Sequence, residues 1–320
     1  MSKAKKTYVL LAVSALALIL LALAFVRIGR IKASLPCMYA AERSEGRAEQ
    51  VSAFFSAKDT ITDFDILYFN EKMTAGLLSS GVSREEIDGG FVYAFSNHAA
   101  LTVRSSRGMF EMPAIGTGGS FFFFHPYTLL YGGYPEDERG VLLSDTAAWK
   151  LFGAEDVAGM TVNVGGEDYK VSGVVRLESG KAAEQALGGD DSLVFVPYLT
   201  IGERVDCYEA VVPGPVKGTA KRIMDGIYMG SAVKQTDTGR FSALSTLRTI
   251  GRLPSVAMSE AAVELPYWEN AARNADVRIA LWSLFIIIWP VPALIVCIAV
   301  LITGAGKNRA QKRERDRRKI

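Results

Sequence analysis

Histidine and cysteine are scarce in this chain. Two histidines, His98 and His125, and three cysteines, Cys37, Cys207 and Cys297, are spread over 320 residues. A histidine-based metal site needs further ligands at close spacing, and none stand near either histidine. There is no GxxxxGK[ST] phosphate loop to supply nucleotide chemistry. No Gly-x-Ser-x-Gly elbow frames Ser120, which removes a Ser120–His125 nucleophile–base pair from consideration. Asp63 with Asp65 would share one face of a strand, and Asp190 with Asp191 lies in a Gly-rich stretch; solvated charge accounts for both pairs. Nor does any basic stripe interleaved with aromatics run through the middle of the chain, so nucleic acid is not an expected partner. These absences point to a protein that is not an enzyme and that holds no cofactor and no metal.

What is abundant is apolar sequence, 49% of residues, and it is unevenly placed. Tyr8 to Val26 carries no charge and at about 1.5 Å per helical residue reaches roughly the ~30 Å of a hydrocarbon core. Ile279 to Thr303 is equally uncharged and longer, with Trp282 near its start where an interfacial aromatic sits. A cleaved signal peptide is the alternative for the first run, but its length and the Phe25-Val26-Arg27-Ile28 ending lack the usual pattern. The basic tail from Lys307 to Ile320 resists translocation, and Lys3, Lys5 and Lys6 agree with it. Both termini are therefore expected in the cytoplasm of a two-span plasma-membrane protein, with the basic tail touching anionic lipid. The expected division is 1–7 cytoplasmic, 8–26 spanning, 30–278 outside, 279–303 spanning and 304–320 cytoplasmic. A Cys37–Cys207 disulfide is permitted outside the membrane, and two separate thiols are the alternative.

Along the exported part, helical spacing is read over Glu42 to Ser56 and Asn70 to Ser80, with a helical turn at Ser83 to Asp88. Phe64 to Phe69 reads as β-rich. Phe91 to Ser96 and Ala99 to Arg104 read as two strands with a turn at Ser96-Asn97-His98. The Phe121-Phe122-Phe123-Phe124 run is taken as a strand whose faces are buried between subdomains or, alternatively, meet a partner. Ser144 is expected to cap a helix that Gly153 stops, and Gly165 to Asp168 to turn a hairpin. Ser179 to Asp191 reads as a mobile loop. Strands follow at Leu193 to Pro197 and Tyr208 to Val212, then helices at Lys217 to Tyr228 and Phe241 to Arg252. Pro290 and Pro292 are expected to kink the second span, as a hinge or a tolerated irregularity.

An ordered set of short motifs carries a resemblance. Phe121-Phe-Phe-Phe-His-Pro126, Leu129-Leu130, Gly132-Gly133, Val141-Leu-Leu-Ser144 and Leu151-Phe-Gly153 come first. Val157 to Val162, Val164-Gly-Gly166, Tyr169 to Val171, Gly173 to Val175 and Val194 to Tyr198 follow in order. Together they resemble the periplasmic core of MacB-like, or FtsX-like, ABC transporter permeases. The resemblance implies an α+β fold, a porter-like βαβ subdomain with a small module inserted at about 115–198. It also implies that a separate ABC ATPase supplies energy for a lever-like motion of the ectodomain. A usual member has four spans, so a permease subunit or a homo-oligomer is the expected membrane partner. The function expected is a non-catalytic subunit of an export or mechanotransmission complex. The alternative is a two-span extracytoplasmic sensor or ligand-binding protein.

Overall fold

The computed structural model describes residues 3–177, 186–189, 191–214, 216–230, 233–252 and 265–317. Helix α1 (Lys3–Ala33) runs into a short 3₁₀ helix, Pro36–Arg43, and then strand β1 (Ala48–Phe55). The expectation of a helix over 42–56 is thereby corrected. All but the first residue of β1 are buried, so this central strand lacks the alternation by which a strand is usually recognised.

The β-rich reading of Phe64 to Phe69 is also overturned, because one helix, α2 (Asp63–Ser79), covers it. Its N-terminus is fixed by the Asp65 carboxylate, which accepts from the Thr62 amide at 2.9 Å. Ile66, Phe69, Met73 and Leu77 are buried, a helical stripe that outweighs the β preference of the aromatics. Helix α3 (Arg84–Gly90) follows with a Ser83/Glu86 capping box.

Strand β2 (Val92–Ser105) is continuous where a turn was expected at residues 96–98. Asn97 sits in mid-strand and its side-chain amide donates to the carbonyls of Gly202 and Arg204, each at 2.9 Å. Its polarity marks an anchor rather than a turn. Strand β3 (Gly108–Gly119) returns antiparallel to β2. Added Cβ atoms at Gly116 and Gly118 would run into the Asn97 side chain and the Phe95 ring, which accounts for the Gly-rich end of this strand.

Phe121–Phe124 forms a single helical turn, α4, and not a strand. Strands β4 (Thr128–Gly132) and β5 (Gly140–Ser144) lead to helix α5 (Asp145–Phe152). As expected, Ser144 Oγ accepts from the Ala147 amide at 3.1 Å and Gly153 ends the helix at φ 75°. Strands β6 (Thr161–Val164) and β7 (Glu167–Arg176) form the expected hairpin. The 179–191 stretch lies largely outside the described residues. Then come β8 (Val194–Pro197), β9 (Cys207–Pro213), helix α6 (Thr219–Asp225), β10 (Val233–Asp237) and helix α7 (Ala243–Ile250). Sequence reading had not singled out β4 or β10.

The strands join one sheet in the order β10-β1-β9-β2-β3-β8-β5-β7-β4, with β6 pairing β2 and β7. Its first four strands, with α2, α3 and α6, make two interleaved βαβ units: β1 and β2 flank β9, and both run antiparallel to it. This is the porter-like subdomain. Everything from β3 to β8 is inserted between β2 and β9, which is the small α/β module. The architecture is α+β, as expected.

The sheet separates two environments. Val51, Ala53 and Phe55 of β1 and Tyr208, Ala210 and Val212 of β9 pack under α2, α3 and α6. Val141, Leu143, Val194 and Val196 pack with α5. The alternate residues, Phe54, Leu142, Phe195, Cys207 and Val211, enter a third cluster with α4 and the 3₁₀ helix.

The chain ends in α8 (Tyr267–Ile288) and α9 (Pro290–Arg317), interrupted at Trp289. Pro290 and Pro292 have no amide hydrogen to donate to the carbonyls one helical turn earlier. Two helical stretches, Thr7–Ala33 and Tyr267–Gly304, are long and apolar enough to cross a bilayer. The chain divides into two compact units, one of Ser34–Ser245 with the stretch ending at Ala275, the other built mainly from α1, the later part of α8, and α9. In the latter unit α1 packs against α9, where Cys297 Sγ approaches the Leu10 carbonyl at 3.9 Å.

Candidate functional site

The sequence expected few chemical groups in the interior, but the third cluster contains several. Its centre is aromatic. Phe121 and Phe124 are buried, and the Phe121 ring lies 5.7 Å from Trp268 and 6.2 Å from Phe195. Phe122 stacks on Tyr134 at 4.6 Å. The four-phenylalanine turn thus packs on the rest of the inserted module through Phe195 and Tyr134, and on the first turn of α8 through Trp268.

His125 ends this turn and lies fully buried between the Phe121 and Trp268 rings, each 4.4 Å away. Its Nε2 is 2.6 Å from Glu209 Oε2, and Ser52 Oγ donates to the other carboxylate oxygen at 3.3 Å. A carboxylate in an apolar cluster is tolerable only with such partners. His125 is a buried polar contact between α4 and β9. Among the described atoms His125 Nδ1 and Trp268 Nε1 have no hydrogen-bond partner.

A second buried carboxylate, Glu269, lies one residue beyond Trp268. It receives Arg240 at 2.5 Å and Arg273 at 3.0 Å, which joins the turn after β10 to α8. Tyr267 shares a 2.7 Å hydrogen bond with Tyr127. His98 lies in mid-strand rather than in the expected turn. Asp206 accepts its backbone amide at 2.9 Å and Arg204 at 2.6 Å.

The segment that follows α1 is held in the same place. Gln50 of β1 accepts from the Ala40 amide at 2.8 Å and donates to the Cys37 carbonyl at 2.7 Å. Arg43 donates to the Phe123 carbonyl at 2.7 Å and the Phe124 carbonyl at 3.1 Å, with its guanidinium 5.6 Å from the Phe123 ring. Sequence reading missed Gln50, Arg43, Glu209 and Glu269. A polar residue among the apolar positions of β1 and β9 was the available signal for Gln50 and Glu209.

Cys37 and Cys207 are both buried in this cluster and stand as thiols, with no disulfide among the described residues. Burial, reinforced by the carboxylates of Glu209, Glu269 and Asp206, pushes the Cys207 thiol well above its ordinary pKa. Burial likewise raises the neighbouring Tyr208 phenol. Asp63 is the first residue of α2, which Thr62 and Asp65 cap, and its carboxylate accepts from the Phe64 amide at 3.1 Å. Among the described residues no three His, Cys, Asp or Glu side chains gather as metal ligands. The cluster can hold three parts of the chain together; among the described residues nothing in it assembles a nucleophile with an activating base.

Several solved structures are similar to this chain. One is the periplasmic region of MacB from Actinobacillus actinomycetemcomitans, with TM-score 0.43 and 15% identity over 61% of this chain and 91% of that one. Another is the extracellular domain of the ABC-type transporter YknZ from Gram-positive bacteria, with TM-score 0.39 and 14% identity over 58% and 99%. A domain of a permease protein from Porphyromonas gingivalis gives TM-score 0.35 and 12% identity over 59% and 87%. No curated protein matches the chain. The MacB-like periplasmic core domain family matches residues 52–235, the porter-like strands together with the whole inserted module, and the chain belongs to that family of ABC-transporter-associated, permease-type membrane proteins.

Proposed function

We propose that this protein is a non-catalytic subunit of an ABC-type export or mechanotransmission complex, in which the ectodomain moves with its membrane helices. The observation that supports this is the aromatic cluster. The segment leaving α1 and the segment starting α8 both end on α4, where Arg43 and Trp268 hold them. A displacement of either helix along its axis therefore loads the sheet directly, since packed interiors shift between discrete arrangements rather than deforming smoothly.

The energy comes from a separate ABC ATPase on the cytoplasmic side, and a permease subunit or a second copy of this chain supplies further membrane helices. Both termini are cytoplasmic in this reading, residues 30–278 lie outside, and lipid surrounds α1 and α8–α9. The inserted module spans about 115–198. Pro290 and Pro292 form the hinge where α8 gives way to α9.

The test is affinity purification of the full chain from its native membrane in mild detergent. An ABC ATPase in the complex, with nucleotide hydrolysis that changes when Trp268→Ala loosens the cluster, is the expected result. A chain that purifies alone, with no ATPase at any detergent concentration tried, ends this proposal.

A further inference from the structure

Beside the aromatic cluster the ectodomain has an open cavity of about 770 Å³, within the roughly 300–1,000 Å³ typical of small-molecule sites. The β2–β3 pair forms one wall through Ala100 and Ala114, Leu193 leads into β8 on another, and Leu265 and Tyr267 bring in the start of α8. The lining is mostly apolar. Among the described residues no lysine or arginine faces it.

Two carboxylates line the cavity. Asp206 is already matched by Arg204 at 2.6 Å and by the His98 amide at 2.9 Å. The Tyr267 hydroxyl is engaged with Tyr127. Glu111 stands differently, on an exposed position of β3 opposite Thr102, and it is the one lining carboxylate for which the structure gives no ion pair among the described residues. His98 also lines the cavity, its Nδ1 3.4 Å from Asp206, and an apolar cavity edged by Glu111, with no lysine or arginine among its described lining residues, favours an apolar molecule with one positive charge. It disfavours an anion of the same size, which would meet like charge with no lysine or arginine among the described lining residues to offset it.

We propose that this cavity binds a small amphiphilic amine, its apolar body against Ala114, Leu193 and Leu265 and its ammonium group toward Glu111. The occupant rests against the first turn of α8, one residue from Trp268, so binding is coupled to the aromatic cluster by direct contact. The site rests on the cavity and its charges, and it holds whether or not an ATPase accompanies the chain.

The experiment titrates the full chain in detergent with rhodamine 6G, an apolar cation, and with fluorescein, a related anionic ring system. Anisotropy is read against matched protein-free micelles. Saturable rhodamine 6G binding at least tenfold tighter than fluorescein is expected. Ala100→Trp, which fills the cavity from its exposed wall, should weaken rhodamine 6G at least tenfold. Glu111→Gln, a solvent-facing change that leaves packing alone, should weaken it three- to tenfold and bring the two dyes toward parity. Absence of saturable binding, equal binding of the two dyes by the wild-type chain, or unchanged binding in both variants overturns the proposal. The readout involves no nucleotide, so a chain that retains an ATPase but binds neither dye refutes the cavity alone. Dye binding by a chain with no ATPase refutes only the transporter reading.

Discussion

The two faces of the same strands were built for different work. On one face of β1 and β9, Val51, Ala53, Phe55, Tyr208, Ala210 and Val212 meet three helices in an interior that is almost wholly apolar. On the other, Gln50, Ser52 and Glu209 alternate with Phe54, Cys207 and Val211 and face histidine, arginine-held chain and a tryptophan. Apolar packing against helices is sufficient to hold a sheet together. Buried polar groups add little net stability and instead fix which partners meet and in what register. The polar face is also where both segments continuous with the membrane helices arrive.

That contrast is tested most severely at Glu209. Glu209→Ala leaves His125 buried beside an empty site and should cost roughly 3–5 kcal/mol. A His125→Leu/Glu209→Leu double variant, which removes both polar partners, should recover most of that loss in chemical unfolding of the purified chain. Phe69→Ala on the helix face should cost a comparable amount, roughly 3–5 kcal/mol, through the cavity it opens. A double variant as unstable as Glu209→Ala would show that the polar face is held by shape and not by pairing.

Alkaline pH probes both faces at once. Cys207 and Tyr208 sit on opposite faces, and both have folded pKa values raised above their ordinary ones by burial. The stability they contribute is complete below the unfolded values. It falls once pH passes the ordinary thiol range, because the unfolded thiol, and then the unfolded phenol, releases its proton while the folded one does not. Thermal unfolding followed from pH 8 upward should show a falling midpoint, and Cys207→Ala should flatten the first part of that fall.

Smaller effects sharpen the comparison. Ser144→Ala removes the cap of α5 and a bond to the Leu193 amide, and should cost about 1–2 kcal/mol. Arg43→Gln, at an exposed position, should change global stability by less than about 1 kcal/mol. Its effect belongs instead in hydrogen exchange, where residues 36–43 should lose protection while α2 and β9 keep theirs.

Much of the inserted module could be read from local sequence, because its elements are short and each carries its own stop and start signals. Ser144, Gly153 and the Gly165-Gly166 turn act within a few residues of the structure they specify. The porter strands are different. The partners of β1 are β9 and β10, with Val51 opposite Ala210 and Asp237, far beyond any local window, so the fully buried strand looked helical. In α2 the aromatics Phe64, Tyr68 and Phe69 favoured a strand in isolation, while the deciding contacts of Ile66, Met73 and Leu77 lie in tertiary packing. The site suffered most. Asn97 looked like a turn residue and nothing near His125 in sequence pointed to Glu209, because what each one binds was brought to it only by the completed sheet.

Strand β2 has one further consequence. Its first residues, 92–96, pair with β9, while residues 94–105 pair with β3, so the same rod is shared between subdomain and insert without a gap. Bending at that junction would break several ladder bonds together, whereas a loop joint would break none. The insert is therefore a cantilever fixed to its support, and a tilt imposed at the β10 edge should be reproduced at the far tip, larger in displacement and unchanged in angle.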